Sequence, residues 1–168
     1  MGQKLTRIHL HWTAGGYTPN SLDLEHYHFI IDGTGAQFAS KKKPEDNLST
    51  VDGVYAAHTL GANTGAIGIA VCAMMGAKQA PFAWGPAPIR PVQLNNLCRL
   101  AARLATQYGI KVQRDTILSH AEIEPTLGVK QKGKWDITIL SGMAQPGDPI
   151  EVGDQIRALV AAYMKGGG

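Results

Sequence analysis

Residues 66–73 read Ala-Ile-Gly-Ile-Ala-Val-Cys-Ala, a nearly unbroken apolar run bounded by glycines. Eight residues is strand length, and a strand without a polar side has to be covered on both faces. This run therefore predicts the central strand of a layered α/β domain. Leu5–Trp12 alternates instead, so it reads as a strand with Arg7, His9 and His11 on one face and Ile8, Leu10 and Trp12 on the other. Tyr27–Ile31 and Ala36–Phe38 flank Asp32-Gly33-Thr34-Gly35, the pattern of a hairpin turn. Thr116–Ser119 is a further short strand. Leu94, Leu97, Cys98, Ala101, Leu104, Ala105 and Tyr108 recur at helical spacing up to Gly109, and a last helix runs from about Val152 to Met164. Ser21 is placed to cap a short helix through His26. Residues 41–52, 80–91 and 121–135 read as loops, and Lys165–Gly168 as a frayed end. The fold class expected is α/β, a central mixed β-sheet flanked by helices.

The chain has 168 residues, one domain's worth at ~100–200 residues per domain, so residues 1–168 are expected to form a single domain, and the protein a monomer. Charged residues make up only 17%, against about 25% in typical globular chains, and 20 residues are glycine. Disorder, coiled coil and collagen are excluded. A net charge of +3 is too small to imply nucleic acid as a partner. No run is long enough to span a bilayer, and the N-terminus lacks the apolar stretch of a signal peptide, so no stable membrane association is expected. Cys72 and Cys98 both lie in apolar surroundings and read as buried thiols.

The chemistry has to come from the six histidines and a few ionic residues. His9 and His11 point the same way from one strand, about 6.6 Å apart. That spacing suits either two rings on one metal ion or two hydrogen-bonded core imidazoles. His120 ends a strand, with Lys134 and Asp136 in the loop that follows. Two histidines and one carboxylate would leave the fourth position of a tetrahedral zinc open for water. Spacing alone does not choose between that site and a turn-capping Asp136 with a surface Lys134.

Four segments in order carry a resemblance. They are His11-Trp12-Thr13-Ala14-Gly15; Tyr27-His28-Phe29-Ile30-Ile31-Asp32-Gly33; His58-Thr59-Leu60-Gly61-Ala62-Asn63 with Ile67-Gly68-Ile69; and His120-Ala121-Glu122-Ile123 with Lys134-Trp135-Asp136. Together they resemble the zinc-dependent N-acetylmuramoyl-L-alanine amidases, the family that includes phage amidase endolysins and the peptidoglycan-recognition proteins.

The resemblance implies one zinc ion held by His11, His120 and Asp136, the last at a place where some members use cysteine. It implies Tyr27 and Lys134 as the residues acting around the zinc-bound water, and His58 near the substrate cleft. It implies peptidoglycan as the partner and hydrolysis of the amide between N-acetylmuramic acid and L-alanine. Asn63, Trp84 and Arg90 are further candidates for contacting substrate. His9 stands where the family commonly has an apolar residue, so choosing His11 over it rests on the motif. Glu122 is a candidate to hold a ligand's second nitrogen, or else a salt bridge; His28 reads as a core residue and His26 as a surface residue. A phage or prophage endolysin is expected, waiting in the host cytoplasm and acting on the periplasmic wall. The rival expectations are a binding module without activity and a cytosolic amidase that recycles anhydro-muramyl peptides.

Overall fold

The computed structural model describes residues 2–166. Five strands form one mixed sheet: β1 (Arg7–Trp12), β2 (Phe29–Ile31), β3 (Gln37–Ala39), β4 (Ala66–Val71) and β5 (Ile117–Ser119), in the spatial order β3-β2-β4-β1-β5. β2, β4, β1 and β5 are mutually parallel, and β3 pairs antiparallel with β2. The hairpin turn is held by the Asp32 carboxylate, which accepts the N–H groups of Thr34 and Ala36.

β4 is buried along its whole length and lies in the middle of the sheet, as its composition requires. Its residues also alternate in size. Ile67, Ile69 and Val71 sit in register with Ile8, Leu10 and Trp12, and these six share one core with α2 (Pro91–Tyr108) and α4 (Pro149–Gly166). Ala66, Gly68 and Ala70 lie on the opposite face, where His9 pairs with Gly68 and His11 with Ala70. The small side chains leave room for imidazole rings, and at Gly68 the room is fully used: a Cβ there would collide with the ring of His58.

α2 begins on Pro91 and ends where Gly109 takes a left-handed conformation, φ 67°, with its N–H turned back to the carbonyls of Ala105 and Thr106. Cys72 and Cys98 are buried free thiols, and burial pushes each up to about 12.

Four expectations need correction. The short helix α1 spans Asp23–His26, but Ser21 does not cap it; Asn20 and Asp23 exchange side-chain-to-backbone bonds instead. The segment 41–52 contains a 3-10 turn, Pro44–Leu48. The segment 121–135 is not all loop, because α3 covers His120–Leu127. Pro125 conceals that helix in the sequence, while Ser119-x-x-Glu122, a capping box, marks its start. Lys165 and Gly166 continue α4, and Gly167 and Gly168 lie outside the described residues. No helix among the described residues is long and apolar enough to cross a membrane.

Candidate metal centre

Parallel neighbours end on the same edge of a sheet, so the C-terminal ends of β1 and β5 deliver their residues to one place. His11 is the penultimate residue of β1, and His120 opens α3 directly after β5. The chain after α3 returns to this edge, where the Asp136 carbonyl accepts the N–H of Ala121 at 2.6 Å. His11 Nδ1 lies 3.0 Å from His120 Nδ1 and 3.2 Å from Asp136 Oδ2, and His120 Nδ1 is 3.4 Å from the same oxygen. Ligand atoms at 2.0–2.1 Å from one tetrahedral zinc stand about 3.3 Å from each other, so the three atoms have the spacing of a zinc face. All three residues are buried, and their ligand atoms fall within 4.8 Å of one another. Burial pushes His11 down to about 4 against the hydrogen bond to Asp136. Burial alone would raise the Asp136 carboxyl, but its bonds to His11 and His120 outweigh that and hold it well below the usual range. The site therefore presents neutral imidazole and ionised carboxylate, the forms that bind a cation.

Three more histidines pack behind this group. His58, His9 and His28 lie ring against ring, with His58 5.2 Å from His11, 5.5 Å from His9 and 5.7 Å from His28 between centroids. His9 is the residue that strand spacing could not separate from His11. Fully buried one pleat repeat behind the edge, it reaches Thr59 Oγ1 with Nδ1 at 3.0 Å and has no partner at Nε2. It is not part of the metal-ligating group. His28 is a core residue, accepting the Gly68 N–H at Nδ1 and donating from Nε2 to Asn47. Burial pushes its imidazole down to about 4. The sign follows: above pH ~6.5 the ring is neutral in both folded and unfolded chains, and below it only the unfolded chain takes the proton readily. His28 is thus expected to withdraw up to about 3 kcal/mol of stability between pH ~6.5 and about 4. Urea midpoints at pH 7 and pH 4.5 should show the fall, and a His28→Gln variant should show a smaller one.

The ligand group lies on a cleft of about 650 Å³. Tyr27, His58, Asn63 and Lys134 all line it, as does His26, which is exposed at the end of α1. The Tyr27 ring is 5.3 Å from that of His11, and burial, reinforced by the charge of Asp136, pushes its phenol above the ordinary value. Asn63 has a local task as well, since its Oδ1 accepts the N–H groups of His58 and Thr59 and holds that turn. Trp84 and Arg90 are placed elsewhere. Arg90 stacks on Tyr17 and donates to the Gly33 carbonyl, while Trp84 packs on Phe82 and the core. Glu122 does not reach a ligand histidine. It accepts the N–H and hydroxyl of Ser119, caps α3, and pairs with Arg157 of α4 at 2.8 Å. The residue holding the second nitrogen of His120 is Gln131, at 2.7 Å. No sequence signal marked Gln131, and the motif that contains Thr59 gave it no task, because its partners His9 and His11 lie far away along the chain.

Comparison with known proteins fits this geometry. The sequence model of the N-acetylmuramoyl-L-alanine amidase family matches residues 1–139. The chain belongs to that family. Among solved structures, the chain shares its fold with the N-acetylmuramoyl-L-alanine amidase LysC from Clostridium intestinale, at 17% identity and a TM-score of 0.53 over 96% of this chain and 89% of that one. It also shares it with the amidase AmiD from E. coli, solved with anhydro-N-acetylmuramic acid-L-Ala-D-gamma-Glu-L-Lys as substrate, at 18% identity and a TM-score of 0.53. That match covers 80% of this chain and 52% of AmiD, so the chain spans about half the length of that relative. Peptidoglycan recognition protein SD of Drosophila is similar at 20% identity with a TM-score of 0.48, over 71% of each chain. No curated protein matches the chain.

Proposed function

We propose that this amidase hydrolyses the amide between N-acetylmuramic acid and L-alanine in peptidoglycan, with one zinc ion held by His11, His120 and Asp136. The observation that carries the reading is the convergence of two imidazole nitrogens and a carboxylate oxygen, 3.0–3.4 Å apart, beside a cleft that Tyr27 and Lys134 also line. Bound there, zinc would lower the pKa of a water toward about 7 and polarise the scissile carbonyl. Lys134 supplies the cleft with a cation two residues from Asp136 and serves the oxyanion of the tetrahedral intermediate. Tyr27, held protonated by burial, serves as a hydroxyl that orients water or hands a proton to the leaving amine. We place the protein as an endolysin of a phage or prophage, kept in the host cytoplasm until it reaches the wall.

The test is a digest of purified sacculi with and without a chelator. The expected result is new L-alanine amino termini and no new reducing sugar ends, with activity lost to the chelator and restored by zinc. New reducing ends, or lysis indifferent to the chelator, would overturn the proposal. Binding without cleavage by zinc-loaded protein would make it a recognition module, and preference for soluble anhydro-muramyl peptides over sacculi would make it a recycling enzyme. Lys134→Ala is expected to lower turnover by about 2.7–4 kcal/mol, roughly 10²–10³-fold, with zinc content unchanged.

A further inference from the structure

Both candidate ligand histidines face the carboxylate through Nδ1; at the opposite nitrogen His11 also has Thr59 Oγ1 at 3.5 Å, but the nearest partner is His58 for His11 and Gln131 for His120. Those two residues are themselves tied to backbone carbonyls, which can only accept. Gln131 donates from its amide nitrogen to the carbonyl of Leu60 at 2.8 Å and toward that of Val129 at 3.4 Å. This fixes the orientation of the amide, so Oε1 faces His120, and His120 Nε2 has to carry the proton. His58 contacts the carbonyl of Ala66 through Nε2 at 3.3 Å, so that nitrogen carries its hydrogen and Nδ1 is left as an acceptor. His11 Nε2 lies 3.2 Å from this acceptor and donates to it. Thr59 Oγ1, 3.0 Å from His9 Nδ1 and 2.9 Å from His58 Nδ1, accepts from His9 and shares the single lone pair of His58 Nδ1 with the His11 donor as a three-centre bond. The unpartnered Nε2 of His9 is then a bare acceptor rather than an orphaned N–H.

We infer that His58 and Gln131 are positioning residues for the metal: each accepts the Nε2–H of one ligand histidine, fixes its tautomer and turns a bare Nδ1 toward the ion. The inference rests on the metal centre proposed above. It gives His58 a task behind the ligands in addition to its place on the cleft wall, and it explains why Gly68 has no side chain. A ligand ring without its acceptor samples the other tautomer and rotates, which typically weakens metal binding 10–100-fold.

The experiment has two readouts. Long-range 1H–15N correlation spectra of the metal-free protein report which nitrogen of each histidine is protonated. Competition titration with a chromogenic chelator gives the zinc dissociation constant. Wild-type protein should show His11 and His120 as Nε2–H tautomers. Gln131→Leu should scramble the tautomer of His120, and His58→Phe that of His11, each with a dissociation constant raised about 10–100-fold. His58→Asn, whose amide oxygen falls near the place of Nδ1, should restore binding to within a few-fold of wild type. Should His58→Phe fail to fold, Gln131→Leu, altered at the cleft wall, decides the matter. Folded variants that keep both tautomers and bind zinc within two-fold of wild type would overturn the role of His58 and Gln131 alone. Wild-type protein that binds no zinc would overturn the metal centre and this inference together.

Discussion

Asp136→Ala is expected to leave the chain folded, free of zinc and without hydrolytic activity. The fold should survive because the backbone carbonyl of Asp136, which ties this segment to α3, is untouched by the change. The site should not survive. Asp136 is the anion that both imidazoles contact, and without it two imidazole nitrogens 3.0 Å apart are left to hold a divalent ion. Losing the ion removes several kcal/mol of transition-state stabilisation, so turnover should fall by on the order of 10³-fold or more. Asp136→Asn tests charge separately from shape: it keeps an oxygen at the same place but not the negative charge, and should bind zinc poorly. Asp136→Cys should bind it, since a thiolate is a good zinc ligand. Metal analysis of the three purified variants, beside their activity on sacculi, settles the point. Stoichiometric zinc and full activity in Asp136→Ala would remove this residue from the ligand set.

Arg157→Met is expected to be the most destabilising single change on the face of the molecule away from the cleft. Arg157 is almost fully buried in α4, pairs with the fully buried Glu122 at 2.8 Å, and donates to the Ile117 carbonyl at the start of β5. Burial pushes the Glu122 carboxyl up, against the bonds from Ser119 and the charge of Arg157. Taking the cation away leaves that carboxylate without its counter-charge in the core, at a cost of about 3–5 kcal/mol. Adding Glu122→Gln should recover a large part of the loss, because glutamine still serves the capping box while carrying no charge. Chemical denaturation of the single and double variants gives the comparison. A single variant that loses less than about 1 kcal/mol would show that the pair is not what holds Glu122. Since α3 begins with His120, the single variant should also bind zinc more weakly.

The architecture was legible wherever one residue pattern carries the information. The apolar run at 66–73 announced a central strand, the alternation at Leu5–Trp12 put His9 and His11 on one face, and the spacing of Leu94 to Tyr108 with Gly109 behind it bounded a helix. α3 was missed because Pro125 interrupts an already short pattern, although the Ser119–Glu122 box was there to be read. The candidate metal centre was legible only through its motifs. Nothing local distinguishes His9 from His11, and what separates them is depth: one reaches the edge of the sheet, while the other stops beneath Thr59. Glu122 and Gln131 show the same limit from the other side. Each sits close in sequence to a ligand histidine, but Glu122 turns toward α4 and Gln131 turns back to His120, a choice made by Arg157 and by the Leu60 carbonyl.

The strand order also dictates when the centre comes into being. β1 lies between β4 and β5, and the three ligands are drawn from positions 109 and 125 residues apart along the chain. Contacts across such separations close a long loop, and they are rewarded only after its entropy has been spent. A polypeptide emerging from the ribosome therefore carries one of the three candidate ligands through most of its synthesis. The other two arrive late, His120 when the last strand docks beside the first and Asp136 when the segment after α3 returns to the same edge.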